Sequence, residues 1–418
     1  MIDFATLPHG RFTLADVTVP GCLVGRGEAL VRADLGVDGA RIAEPGGERV
    51  EMGGAMVWPC FVDMHTHLDK GHIWPRAANP DGTFGGALAT VRDDHAQWGA
   101  EDVRRRMDFA LRCAFAHGTR AIRTHLDSTP PQPEISWPVF REIRGEWAGR
   151  IDLQAVSLVG ADRMEGYEAT ADIVAGSGGV LGLVTYPMPD LPDRLRAFFR
   201  MASERGLAAD FHVDETEDPG SATLRQIAEA VLETGFDARV VVGHCCSLAR
   251  QEETEADRTL DLVAEAGLHV VSLPMCNLYL QDRHAGRTPR WRGVTLVHEM
   301  RGRGIPVSFA SDNTRDPFYA YGDLDMLEVV REATRIAHLD HSRPDWAASF
   351  TAQPAETCGF ASASLAPGAP ADLVICRARG WTELLARPQS DRIVLRGGRA
   401  IDRTLPDFAE LDDLMEAS

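Results

Sequence analysis

Eight short apolar runs, each followed by a longer amphipathic stretch, predict an α/β chain folded as a (β/α)8 TIM-type barrel. A β-rich texture at both ends predicts a small β-sandwich domain formed by the N- and C-terminal segments. The terminal texture begins with the apolar and β-branched runs 15–20, 21–25 and 30–36, which are punctuated by glycine. It returns at 371–376 and 392–401, where Val, Ile and Leu are bounded by Pro, Asp and Gly. The expected small domain therefore joins residues 1–55 to 364–405 and encloses a barrel of residues 56–363, while residues 406–418 read as an acidic, solvated helical tail. Barrel strands are expected at 57–64, 119–124, 151–158, 179–185, 208–213, 239–243, 269–274 and 306–310. Between them, 100–117 repeats Val103, Met107, Ala110, Leu111 and Ala114 at helical spacing, and 191–206 forms a second helical segment. An open doubly wound sheet is the competing arrangement, and the placement of the polar residues weighs against it.

The composition narrows the partners. With 418 residues, 44% hydrophobic and 25% charged, the chain is long enough for a large buried core and shows no sign of disorder. A formal net charge of -19 argues against nucleic-acid and anionic-membrane surfaces, which reward clustered Lys and Arg. Residues 1–10 lack a basic start followed by a long apolar core, and no uncharged run approaches a membrane span, so cytoplasm is the expected compartment. The eight cysteines are scattered, with Cys245 and Cys246 adjacent, which is unlike a disulfide framework. Lys70 is the only lysine.

Polar residues gather where a barrel keeps its chemistry, at the C-terminal ends of the strands. His65 and His67 are two apart at the end of the first strand, so in extended chain their side chains share a face. His212, Asp214 and Glu215 follow the fifth strand, His244 the sixth, and Asp312 with Asn313 the eighth. A lone histidine at a strand end is more often structural than a ligand, but four such ends coinciding argue for a site. Three neutral imidazoles and one carboxylate suit a divalent transition metal that keeps a position for water. Glu215, three residues beyond His212, is placed to carry a proton between that water and a leaving nitrogen. Trp74, Phe84 and Trp98 either line a pocket or pack, and His125 is read as an outer hydrogen-bonding partner of the cage. Lys70 is either a solvated loop cation or a substrate contact, and Gln281 and Arg283 anchor either substrate or a loop. A thiol nucleophile at Cys245 or Cys246 is not expected beside a metal.

The set His65-Thr66-His67, His212 to Glu215, His244 and Asp312 resembles the constellation of the amidohydrolase superfamily, in particular its cytosine deaminase-like branch. The stretches Asn277 to Arg283, Arg290 to Val294 and Ser311 to Gly322 are similar as well, so the likeness runs from about residue 50 to 400. The resemblance implies that His65, His67, His212 and Asp312 bind one metal ion, zinc first, with iron and manganese also compatible. It further implies that Glu215 shuttles protons and that His244, with Asp312, handles the attacking metal-bound hydroxide. Relatives with two metals bridge them with a lysine from a central strand, and no lysine stands there in this chain. The implied reaction is hydrolysis of an exocyclic C–N bond of a small, cytosine-like nitrogen heterocycle with release of ammonia. Release of an alkylamine or opening of a cyclic amide, as in triazine-type relatives, is the alternative, and a non-catalytic ligand-binding barrel is a remote one. Gly160, Gln281, Asn313 and Phe318 are the positions expected to meet substrate. Cytosine deaminases carry glutamine, aspartate and tryptophan at the positions of Gly160, Asn313 and Phe318, so cytosine itself is expected to be a poor substrate. The expected partners are a small heterocyclic substrate and further copies of the chain in a homo-oligomer, with no nucleic acid and no membrane.

Overall fold

The structure is a computed structural model that describes residues 6–416, so the first five residues of the leader reading and the last two of the tail lie outside it. The chain opens with β1 (Arg11–Pro20), β2 (Leu30–Asp38), β3 (Arg41–Ala43), β4 (Glu48–Glu51) and β5 (Met56–Pro59). Eight strands follow: β6 (Phe61–Thr66), β7 (Thr119–Asp127), β8 (Asp152–Leu158), β9 (Leu181–Thr185), β10 (Ala209–Val213), β11 (Val240–His244), β12 (His269–Ser272) and β13 (Val307–Phe309). The chain then returns through β14 (Leu373–Cys376), β15 (Ile393–Arg396) and β16 (Arg399–Ala400) to the sheet of its own beginning. That sheet runs β16-β15-β14-β5-β1-β2-β3, with β4 beside β1, so both ends of the chain hydrogen-bond into one layer.

The middle strands are all parallel, in a three-stranded sheet β6-β7-β8 and a five-stranded sheet β9 to β13. Two seams join them. Parallel bridges Val156↔Val180 and Gly160↔Val184 link β8 to β9, and Thr66↔Asp312 links β6 to the residues just after β13. The eight strands therefore follow one another around a ring, each step but the last crossing through one or more helices, as alternating apolar strands and amphipathic helices require. The helix Ala100–His117 has the predicted bounds, and the second predicted helix is Leu191–Glu204.

Three expectations change. The predicted strand 57–64 is two strands: Met56–Pro59 pairs with β14, and Phe61–Thr66 pairs with β7. Pro59 has no N–H to continue a ladder, and at Cys60 the chain changes sheets, with Cys60 N donating to Asp372 O at 2.8 Å and Phe61 N to Gly118 O at 3.0 Å. Met56–Pro59 thus hydrogen-bonds with the terminal sheet rather than with the ring. The predicted strand 21–25 is a 3-10 turn, Gly21–Val24. Pro20 ends β1, and a Cβ at Gly21 would stand 2.0 Å from Glu28 O, an approach only glycine allows. The tail keeps most of its described residues exposed but is anchored at Leu411. Leu411 is buried with Phe109 and Cys113, while Arg112 Nη2 donates to Glu410 Oε2 at 2.7 Å and Arg105 forks onto the Asp413 carboxylate. Acidic residues opposite the arginines of helix Ala100–His117, with one leucine between them, account for this docking.

Candidate metal centre and active-site cavity

The ring geometry delivers the site. Asp312 N donates to His65 O at 2.9 Å across the seam, which sets the Asp312 carboxylate beside the two histidines of β6. The buried Asp63 locks that seam by accepting Ser311 N at 3.0 Å and Ser311 Oγ at 2.5 Å. His212 lies at the end of β10, opposite Gly243 of β11. Gly243 has a packing reason, because a Cβ there would lie 3.1 Å from the His65 ring. Asp214, His244 and Asp312 have φ of 49°, 68° and 67°, so three strand ends turn through left-handed backbone as they enter their loops. The Asp214 carboxylate holds one such turn by accepting Ser221 Oγ, Thr223 N, Thr223 Oγ1 and Leu224 N at 2.6 to 3.0 Å. Its role is to fix the segment carrying Glu215.

The four expected metal ligands converge. His212 Nε2 lies 3.1 Å from His65 Nε2 and 3.3 Å from His67 Nε2, and Asp312 Oδ1 lies 3.6 and 3.2 Å from the same two nitrogens. Ligands at the usual 2.0–2.2 Å from one tetrahedral ion are separated by roughly 3.3 Å, so these four distances are compatible with a shared ion; the triads His65–His212–His244 and His65–His125–Asp210 are also close enough to hold one. All four side chains are buried, and both Asp312 oxygens are without a hydrogen-bond donor. Burial first, and then neighbouring charged forms that include Lys70, push His65, His67 and His212 well below the ordinary imidazole pKa. Neutral imidazoles with lone pairs facing one another, beside an orphaned carboxylate, fit one divalent cation. Burial raises Asp312 to about 7. A cation in the cage acts in the opposite sense.

A relay lies along one side of the cage. The Asn277 amide donates to Glu215 Oε1 at 3.1 Å and to His244 Nδ1 at 3.0 Å, and Gln281 Nε2 donates to Glu215 O at 3.2 Å. Accepting at Nδ1 leaves the hydrogen of neutral His244 on Nε2, a buried atom with no protein partner. Burial pushes His244 down to about 3. Burial, and then the Asp312 carboxylate, holds Glu215 well above the usual carboxylate range, against the pull of Lys70 and Asn277. Burial thus biases Glu215 toward its protonated form beside the cage, the form suited to donating a proton. Asn277 escaped the residue-by-residue reading. Its signal was available: a polar residue on the short helix Pro274–Leu280, which begins just beyond the C-terminal end of β12.

Over the cage opens a cavity of about 830 Å³, mouth included. His67, His212, Glu215 and His244 line its depth, Gly160, Val184 and Tyr186 one part of the wall, and Phe84, Leu88 and Phe318 another. Lys70 is buried in this wall, 3.6 Å from Asp127 Oδ1 and 4.9 Å from the Phe318 ring centroid, which resolves the choice left open for it against a solvated cation. Asp127 also accepts from His95 Nε2 at 2.9 Å. Asn313 reaches the cavity, but its Nδ2 donates to Asp316 at 2.8 Å. Gln281 lines a neighbouring cavity while holding the Glu215 loop, and Arg283 turns back onto Tyr279 O. Of the aromatics, Phe84 lines the cavity, Trp98 is buried with its N–H on Asp94, and Trp74 is outside the lining. His125 makes no outer hydrogen bond. Its ring packs 4.0 Å from His65 and 4.6 Å from His212, and its nearest carboxylate, Asp210, is at 4.0 Å because Arg123 holds Asp210 at 2.8 Å. Burial raises both the Cys245 and Cys246 thiols well above their ordinary pKa, which disfavours the thiolate, and all eight cysteines are free. Among the described residues, no helix is long and apolar enough to cross a membrane.

A ring of parallel strands with three histidines, an aspartate and a carboxylic acid at the strand ends defines a hydrolase of the metal-dependent kind. The amidohydrolase family profile matches residues 140–401, and the chain belongs to that family. It is 54% identical to a pterin deaminase from Rhizobium rhizogenes over 434 aligned positions, 99% of each chain. The N-isopropylammelide isopropyl amidohydrolase of a Pseudomonas species is 24% identical, across 74% of this chain and 78% of that one. The structure of 5-methylcytosine deaminase from Klebsiella pneumoniae, liganded with 5-fluorocytosine, aligns with a TM-score of 0.80 at 24% identity over 95% of this chain and 98% of that one. The chain is thus an amidohydrolase of the deaminase branch, acting on carbon–nitrogen bonds other than peptide bonds.

Proposed function

We propose that this chain removes ammonia hydrolytically from the amino-bearing carbon of a fused, pterin-type heterocycle, on a (β/α)8 barrel to which the terminal sheet adds a small sandwich. The observation that carries the reaction type is the triad His65, His67 and Asp312, with His212 Nε2 within 3.3 Å of both histidines and the Glu215–Asn277–His244 relay alongside. Support for the substrate class comes from end-to-end likeness to the pterin deaminase and from Gly160, which leaves the wall without a side chain where a monocycle reader has glutamine.

In this reading His65, His67, His212 and Asp312 would hold one divalent ion, which would supply Lewis-acid activation of a water near neutral pH. His244 Nε2–H steadies the attacking oxygen, because Asn277 fixes its tautomer and orientation. Glu215 gives its proton to the ring nitrogen next to the amino-bearing carbon and recovers one from the attacking oxygen. It then passes that proton to the departing amine. One C–O bond forms, one C–N bond breaks, and water plus aminoheterocycle become oxo-heterocycle plus ammonia.

The test is ammonia release by zinc-, iron- or manganese-loaded enzyme across pterin, cytosine, creatinine and alkylamino-triazine substrates. The expected result is equimolar ammonia and 2,4-dioxopteridine from pterin, with cytosine at least a hundredfold slower in kcat/KM. Turnover confined to alkylamine release or ring opening would replace this reading with the alternative.

A further inference from the structure

The cavity over the cage does not end at its mouth. A neighbouring cavity of about 970 Å³ shares Arg92, His95, Thr129 and Arg163 with it, so the two form one trough from the cage to the surface. Trp98, Pro130, Pro131 and Ile135 give the outer part flat, apolar walls. The two shared arginines are exposed and weakly engaged. Arg92 has no hydrogen-bond or ion-pair partner among the described residues, and the nearest carboxylate to Arg163 is Asp162, at 3.9 Å from Nε. Elsewhere on this acidic surface arginines sit in close pairs, such as Arg194 with Asp190 at 2.7 Å and Arg303 with Asp261 at 2.9 Å. A second opening beside the cage is lined by Glu217, Asp218 and Asp282, whereas this one carries two available guanidiniums with Asp162 beside one of them, in a chain of net charge -19.

We infer that Arg92 and Arg163 form a subsite for an anionic substituent, a carboxylate carried on the edge of the fused heterocycle remote from its amino group. The inference rests on the proposed reaction. In a pteridine the 2-amino carbon and ring position 6 lie at opposite ends of the bicycle, so an amino carbon at the cage sends position 6 outward, and of the two openings the one past Arg92 and Arg163 suits an anion, because the other is lined by Glu217, Asp218 and Asp282. Guanidinium forks match a carboxylate in plane and charge, and His95, tied back to Asp127, leaves that fork uncontested.

The experiment compares kcat/KM for pterin-6-carboxylate, 6-hydroxymethylpterin and pterin in the metal-loaded enzyme, in Arg92→Gln, Arg163→Gln and the double variant. The carboxylate is expected to be preferred over the hydroxymethyl compound about tenfold or more, as charge-assisted pairing allows. That preference should shrink in each single variant, approach unity in the double variant, and fall in wild type between 20 and 300 mM salt, because exposed charges are screened. A preference absent in wild type, or a ratio unchanged in the double variant, overturns the subsite while leaving pterin deamination standing. Absence of ammonia from all three pterins overturns the parent reading and this inference with it.

Discussion

Replacing Glu215 with glutamine removes a titratable proton and little else. The side chain keeps its length and its oxygen toward Asn277 Nδ2, which now lies at 3.1 Å from Oε1. Burial and the Asp312 carboxylate already favour the uncharged form of Glu215, so a neutral amide should cost the fold little. Glu215 is not one of the four cage ligands, and metal content should stay at one per chain. What goes is proton transfer, which contributes typically 10² to 10⁴ in rate. Glu215 serves two transfers in the proposed cycle, to the ring nitrogen and to the departing amine, so the expected loss in kcat is toward the upper end, about 10³ to 10⁴, or roughly 4–5 kcal/mol in the barrier. The assay is ammonia release under saturating substrate, with metal measured by emission spectrometry and thermal melting on the same samples. A kcat within tenfold of wild type, with metal retained, would refute the relay. Loss of metal together with activity would instead make Glu215 part of the cage.

Three further outcomes follow from the geometry. Asn277→Ala should lower kcat by about 10- to 100-fold with metal retained, since it frees both Glu215 and the His244 tautomer, and kinetics on the metal-loaded variant check this. Chelation should abolish activity and lower the melting temperature, with both restored by one equivalent of zinc per chain, whereas His67→Ala should not recover at that stoichiometry. Asp325 caps the helix Met326–Ala337 and pairs bidentately with Arg392 at 2.6 Å, tying the terminal sheet to the ring. Burial alone would raise its pKa, but Arg392 overrides burial and lowers it from 3.8 to about 2. A depressed carboxylate pKa means stability that is present above about pH 4 and lost as pH falls toward 2, about 2 kcal/mol in all. Asp325→Asn should cost about 3–5 kcal/mol near neutrality by leaving Arg392 unpaired, and its deficit in urea midpoint against wild type should narrow below pH 4.

Much of this architecture is written in local pattern. The strands of the ring fall within a few residues of their apolar runs, and the helix Ala100–His117 has the bounds its spacing predicts. The cage was legible for a related reason: a histidine at the end of an apolar strand has only the mouth of the ring to point into. What local pattern could not carry was partner choice. Apart from Asp63, residues 57–64 are apolar because they are buried in either sheet, so hydrophobicity is blind to the hand-over at Cys60, and only Pro59 marks it. The acidic tail reads as solvated until the arginines at 105 and 112 are known to face it across some 300 residues. His125 was legible as inward-facing but not as packed, because Asp210, 4.0 Å from its Nε2, is held by Arg123 from the same strand as His125.

The substrate wall is the hardest part to read, and the structure says why in chemical terms. Of the four positions expected to meet substrate, Gly160 offers no side chain, Phe318 no polar atom, and Asn313 an amide already donating to Asp316. Gln281 is engaged by the backbone of Glu215. A heterocycle bound here must find its hydrogen bonds elsewhere on the wall, where the polar groups include Lys70, Asp127 and Tyr186, with Arg92, Asp162 and Arg163 among the others. These come from several segments of the chain and share no spacing, so no motif announces them. Nor can they replace one another. Lys70 is a buried point charge held between Asp127 and the Phe318 ring, suited to a fixed acceptor on the ring system. The arginines are exposed forks, suited to whatever anion the heterocycle carries outward. The catalytic cage therefore constrains the bond that is broken, while this uneven distribution of charge along one trough constrains the molecule that carries it.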